Sequence, residues 1–90
     1  METTLTYKKH LYITRNQKIM GGEPIIKNTR FPVRYIIFYI VKEGMMPEEL
    51  SKEFPHLSLS AIYDALSYYY DNQDEIETLI ENQREEIWKI

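Results

Sequence analysis

From Pro32 onward, Val33, Ile36, Ile37, Ile40 and Val41 fall at i, i+3, i+4, i+7 and i+8, the spacing of one face of an α-helix. Tyr35, Phe38 and Tyr39 fill most of the remaining surface, so this segment is apolar nearly all round. A helix of that kind must be buried on more than one side. Either it is the centre of the fold, or one of its faces packs against a second copy of the chain. Pro32 suits the entry, because its φ is already fixed near the helical value. Gly44 is the natural end, since glycine best tolerates the left-handed position that follows a helix.

The stretch before this helix, GGEPIIKNTRFPV (residues 21–33), holds two glycines, two prolines and two cationic side chains around the pair Ile25 and Ile26. Pro24 and Pro32 bias their preceding residues toward extended geometry. The segment reads as turn, short strand, turn. Upstream, HLYITRN (10–16) alternates, with Leu11 and Ile13 on one side and Tyr12 and Thr14 on the other, which suits a half-buried strand. A small N-terminal hairpin follows from the two.

Beyond Gly44, MPEELSKEF (46–54) predicts a short helix, with Pro47 in the first turn and Glu48 and Glu49 at the positive end of the dipole. Leu50 and Phe54 form its buried edge, and Pro55 stops it. Ser58 is the expected N-cap of a third helix, in which Leu59, Ile62, Leu66 and Tyr69 or Tyr70 recur helically. Tyr68, Tyr69 and Tyr70 point about 100° apart on a helix, so they cannot form one platform. Asn72 followed by Glu75 has capping-box spacing and predicts a break and a fourth helix over 73–88. The rival is one continuous helix, because heptad spacing persists from Ile62 to Ile90.

The expected fold is mainly α: a trihelical helix-turn-helix with a short N-terminal β-hairpin and a C-terminal acidic helix. One domain spans 1–90, with the hairpin and turn in 10–31, the three helices in 32–72 and the last helix in 73–90. The chain has no cysteine, so disulfides, a thiolate nucleophile and cysteine-based zinc sites are excluded. His10 and His56 lack paired ligand spacing, and no Ser-His-Asp arrangement can be drawn. Neither an enzyme nor a cofactor or metal protein is expected. METTLTYKKH has no apolar run, and Tyr35 to Val41 is too short to cross a bilayer. The cytoplasm is the default compartment, without membrane association.

Charge is divided along the chain. Residues 1–34 hold seven Lys or Arg and two acids, whereas residues 35–90 hold four Lys or Arg and twelve acids. Such asymmetry predicts either two kinds of partner or two halves that complement each other. Eight tyrosines exceed the needs of a small core, which points to aromatic rings at a contact surface.

MGGEPIIKNTRFPVRYII followed by EGMMPEELSKEFPHLSLSAIYDALSYYYDNQDEIE resembles the domain-of-unknown-function 433 family. Its members carry a GGxPxIxGTRxPV segment, a helix, and then a G-x-x-PEE pattern leading to [FY]P-x-L[ST] and AL-x-YY. The likeness covers about residues 11–80. It implies a helix-turn-helix fold, and for some members a VapB-type antitoxin encoded beside a PIN-like ribonuclease toxin. This chain departs at Asn28, where the family has glycine; asparagine is the non-glycine residue that best tolerates left-handed geometry. The segment then serves to place Thr29 and Arg30 at the mouth of the first helix.

On this reading the chain is a homodimeric antitoxin-like protein that binds operator DNA and sequesters a PIN-like toxin. The alternative is a protein-interaction adaptor or toxin neutraliser without DNA binding. Lys27, Arg30, Arg34 and Lys52 are the expected phosphate contacts, with Ser58 at the helix start. Ser60, Tyr63, Asp64 and Ser67 are the expected base-facing positions. None of these four is Arg, Lys, Asn or Gln, the usual readers of purine edges, and Glu48, Glu49 and Glu53 would repel phosphates. In the acidic helix, Ile76, Leu79, Ile80, Ile87 and Trp88 form a stripe that docks either on the chain's own domain or in the groove of a basic partner.

Overall fold

Val33, Ile36 and Ile37 have no solvent-accessible side-chain surface, and the elements of the fold are arranged to keep them so. The computed structural model describes residues 9–88, with side chains as far as Gln83. In chain order these are β1 (Ile13–Thr14), β2 (Ile25–Ile26), α1 (Val33–Ile37), α2 (Pro47–Glu53), α3 (Leu59–Asp71) and α4 (Gln73–Trp88). The fold is mainly helical with one small antiparallel hairpin, in which Ile13 pairs with Ile26 and Thr14 with Ile25. Leu11 and Tyr12 precede the strand in a turn, so the alternation expected from residue 10 applies only from Ile13.

The hairpin delivers the chain directly into α1. The Val33 N–H, an orphan donor of the first turn, donates to the Pro24 carbonyl at 3.0 Å. α1 then passes into a π-helical turn over Phe38–Lys42, where the Glu43 N–H reaches the Phe38 carbonyl at 3.0 Å. Gly44 ends it at φ 81°, as glycine alone does cheaply. The N–H groups of Gly44 and Met45 return to the carbonyls of Ile40 and Tyr39. Phe38, Tyr39 and Ile40 are half-buried and Val41 is exposed, so apolar coverage thins toward this end.

α2 begins at Pro47, and the Glu49 carboxylate accepts from the Met46 N–H at 2.8 Å. α3 begins at Ser58, whose hydroxyl oxygen accepts from the Ala61 N–H at 3.1 Å, the expected N-cap. The chain breaks at Asn72 (φ −141°, ψ 47°), which excludes the continuous-helix alternative. Asn72 turns its side chain back to α3, donating to the Tyr68 carbonyl at 3.0 Å, while Glu75 is occupied by Arg15 and Tyr68. The capping box expected from their spacing is thereby replaced by longer-range bonds.

The break lets α4 fold over α1. Ile76 and Ile80 are buried and join Ile26, Val33, Ile36, Ile37, Leu50, Leu57, Ala61, Ile62, Ala65 and Tyr69 in one core. Burial of one such isoleucine is worth about 1.5–3 kcal/mol. The N-terminal part of the predicted partner-binding stripe is thus spent on the chain's own interior; Leu79 is half-buried, and the side chains of Ile87 and Trp88 lie outside the described residues. A chain ending at Asn72 should therefore lose its cooperative melt, and Ile76→Ala alone should cost about 2–5 kcal/mol by chemical denaturation. An unchanged melting temperature in the truncated chain would show that α4 is dispensable to the core.

Candidate functional site

The Lys27–Arg30 turn is held by the Lys27 and Thr29 backbone N–H groups and the Thr29 hydroxyl, and its charged side chains are left outside. Asn28 takes φ 64°, fulfilling at this position the left-handed role that glycine has in the family pattern. The Thr29 hydroxyl donates to the Ile26 carbonyl at 2.7 Å, and its oxygen accepts from the Phe31 N–H at 2.9 Å. The Lys27 N–H donates to the Tyr12 carbonyl at 2.8 Å. Lys27 and Arg30 themselves are exposed and form no ion pair among the described residues.

Two concavities meet at this turn. One, of about 450 Å³, runs along Thr14, Arg15, Asn16, Lys27 and Arg30. The other, of about 600 Å³, is lined by Leu11, Tyr12, Lys27, Arg30, His56 and Ser58 among others. Among the described residues no carboxylate lines either one. A third groove, of about 510 Å³, adjoins the second through Leu11 and Tyr12 and is lined by Ser60, Tyr63, Asp64 and Ser67. The structure therefore brings together six of the residues expected at a DNA-binding face: Lys27, Arg30, Ser58, Ser60, Tyr63 and Ser67.

Arg34 is placed elsewhere. Its Nε donates to Glu23 at 2.8 Å, its guanidinium also donates to Gln83 at 2.6 Å, and it lies 4.8 Å from the Tyr35 ring centre. With only 16% of its side chain exposed, it ties the hairpin loop to α4 and is not a free phosphate contact. Lys52 is exposed on α2 but lines none of these grooves. Asp64, expected to face bases, instead anchors the N-terminal segment: it accepts from the Tyr12 N–H at 2.8 Å and lies 3.2 Å from His10 Nδ1. His10 Nε2 reaches Asp71 at 2.9 Å, so the segment is fastened along α3 at two points. Leu11, Tyr12 and His56 enter the site although their sequence pattern did not place them there. The only advance signal was the unusual richness in tyrosine.

A second cluster holds the hairpin against the α3–α4 corner. Arg15 donates to the Gly22 carbonyl at 3.2 Å, to the Tyr68 hydroxyl at 2.7 Å and to Glu75, and the Tyr68 hydroxyl donates to Glu75 at 2.8 Å. The hydrogen bond to Glu75 raises the Arg15 pKa. Burial, followed by the bond to Glu75, holds the Tyr68 phenol above its ordinary value of 10.0. Tyr69 is raised chiefly by its bond to Glu77. Among the described residues no group of three or more His, Asp or Glu is placed to hold a metal ion.

Together these features define a small, mainly helical domain whose N-terminal hairpin presents a basic turn beside the start of a capped helix. The chain belongs to the family described as Protein of unknown function (DUF433), whose model matches residues 13–69, well over half of the sequence. It is similar in structure to a DUF433 member protein from Anabaena variabilis, with 30% sequence identity and a TM-score of 0.73. That match covers 78% of this chain and 68% of the other. No curated protein matches the chain. No helix among the described residues is long and apolar enough to cross a membrane.

The raised phenols give a pH dependence of definite sign. A tyrosine whose folded pKa exceeds the unfolded value contributes stability that is complete below about pH 10 and is lost as pH rises through the folded value. Alkaline titration followed by tyrosinate absorbance should show Tyr68 and Tyr69 ionising above the ordinary phenol value of 10.0. Tyr68→Phe should flatten the fall in melting temperature above pH 10; an unaltered slope would remove Tyr68 from the account.

Proposed function

We propose that this chain is an antitoxin-like, cytoplasmic protein that binds nucleic acid, operator DNA in the first instance, and sequesters a PIN-like ribonuclease toxin. α1, α2 and α3 serve as a helix-turn-helix in this reading, with α3 presented to the DNA. The observation that carries it is the pair Lys27 and Arg30: exposed and, among the described residues, without ion partners and set in grooves that contain no carboxylate. Their side chains contact phosphates, and Ser58, Ser60, Tyr63 and Ser67 lie alongside. The charge-bearing outer face of α4, with Asp74 and Glu81 exposed, is the surface offered to a basic toxin.

A second copy of the chain covers the thinly packed end of the first helix. Val41 and Met46 are exposed there beside half-buried Phe38, Tyr39 and Ile40, a small apolar patch rather than isolated residues. The adaptor alternative draws support from α2, where Glu48, Glu49 and Glu53 are all exposed and would repel a duplex lying across it.

Replacement of both Lys27 and Arg30 by alanine should weaken binding by about the same factor on every DNA sequence, and should reduce the salt slope by roughly one per residue. Fluorescence anisotropy across a salt series reads both effects. Absence of binding to upstream DNA at low salt would leave the adaptor reading. Sedimentation at micromolar concentration should give twice the monomer mass of 10.9 kDa; a clean monomer would exclude the dimer.

A further inference from the structure

We propose that the face formed by the Lys27–Arg30 turn, Tyr12 and Tyr63 takes an unpaired nucleic-acid strand in preference to a closed duplex. This rests on the reading that the face binds nucleic acid, and it specifies the form.

The first argument is the state of the aromatic side chains. Phe31, Tyr35, Phe38, Tyr39, Phe54, Tyr68, Tyr69 and Tyr70 each pack against another ring, counting His10 and His56 among the partners. Among the described residues, Tyr12 and Tyr63 are the two Tyr or Phe side chains that do not, and they are 42% and 50% exposed. A bare phenol ring at a surface is a stacking platform that accepts any base, because every base has a π-face.

The second argument is placement. Tyr12 lines both the groove that holds Lys27 and Arg30 and the groove that holds Tyr63. Its carbonyl is bonded to the Lys27 N–H, so the backbone that carries the ring is held beside the turn that carries the cations. The Tyr63 hydroxyl lies 3.4 Å from Glu48, which restrains the ring by its edge. Phosphates on one side and bases on the other match a single backbone with its bases turned out.

The third argument is what a duplex would meet. Its bases are stacked inside and must be read in a groove, yet Ser60, Tyr63 and Ser67 offer no bidentate reader, and Asp64 is occupied by Tyr12 and His10. Its second backbone would approach Glu48 and Glu53 on α2, both exposed. Duplex DNA therefore receives the phosphate contacts alone, whereas an unpaired strand receives phosphate contacts and stacking.

The test is fluorescence anisotropy of the full chain with labelled single-stranded DNA, single-stranded RNA and duplex DNA, each of roughly a dozen nucleotides or base pairs, within the span that small single-strand-binding domains cover. At moderate salt at least one of the single strands should bind about tenfold or more tightly than the duplex. Tyr12→Ala and Tyr63→Ala should each weaken single-strand binding by about tenfold, a larger loss than on duplex, and Tyr12→Phe and Tyr63→Phe should restore it. Circular dichroism melts of each variant establish that it is folded. Duplex binding equal to or tighter than both single strands, or alanine variants that bind single strands as the parent does, would overturn the proposal while leaving nucleic-acid binding intact. Failure of all three polymers to bind at low salt would overturn both.

Discussion

A helix that has no polar face cannot be left at a surface, and the arrangement of this molecule follows from covering α1. The hairpin lies at its entry, α3 and α4 pack against it, and α2 packs on α3 and on the π-helical turn, adding Leu50 to the same core. Because α1 contributes side chains in every direction, the break at Asn72 is a topological requirement as much as a local preference: a straight α3–α4 rod would carry Ile76 and Ile80 away from it. The same requirement fixes the hairpin. Ile26 reaches the core only if the 27–30 turn reverses the chain within a few residues, which is why a left-handed residue and a side-chain-bonded threonine follow directly after it.

Local chemistry made much of this legible in advance. Gly44, Pro47 and Ser58 end or begin helices for reasons contained within a turn of their own position, and each is found in that role. Tyr68, Tyr69 and Tyr70 separate into half-buried, buried and exposed, as the angle between successive helical residues requires. The stripe of α4 was visible, but not which partner covers it, because amphipathicity records that a face is apolar and not what it meets. The structure answers for Ile76 and Ile80 with the chain's own core.

What sequence could not reveal is long-range pairing. Arg34 and Lys27 look alike in a basic stretch, yet one is held by Glu23 and Gln83 and the other forms no ion pair among the described residues. Gln83 is 49 residues from Arg34, and no local spacing announces the contact. Asp64 and Glu75 follow the same logic. Each seemed to have a role within its own helix, a base contact or a cap, and each is instead claimed by the N-terminal segment. Hydrogen bonds to a charged group are stronger than those between neutral groups, so a cation brought near by the fold displaces a weaker local cap.

The uneven charge of the sequence is accordingly two phenomena superposed. One part is internal complementarity: Arg15 meets Glu75 and Lys42 meets Glu77, each joining an earlier element to the acidic α4. Such partly exposed pairs contribute little stability individually, and their value lies in fixing register between elements. The remaining part is the Lys27–Arg30 turn, which is held by the Lys27 and Thr29 backbone N–H groups and the Thr29 hydroxyl and does not draw on the Lys27 or Arg30 side chains. Loss of either charge there leaves no buried group unsatisfied. The fold does not draw on these positions, and two like charges nonetheless stand together there. The folded core gives the turn a fixed shape, and among the described residues no carboxylate lines its two grooves.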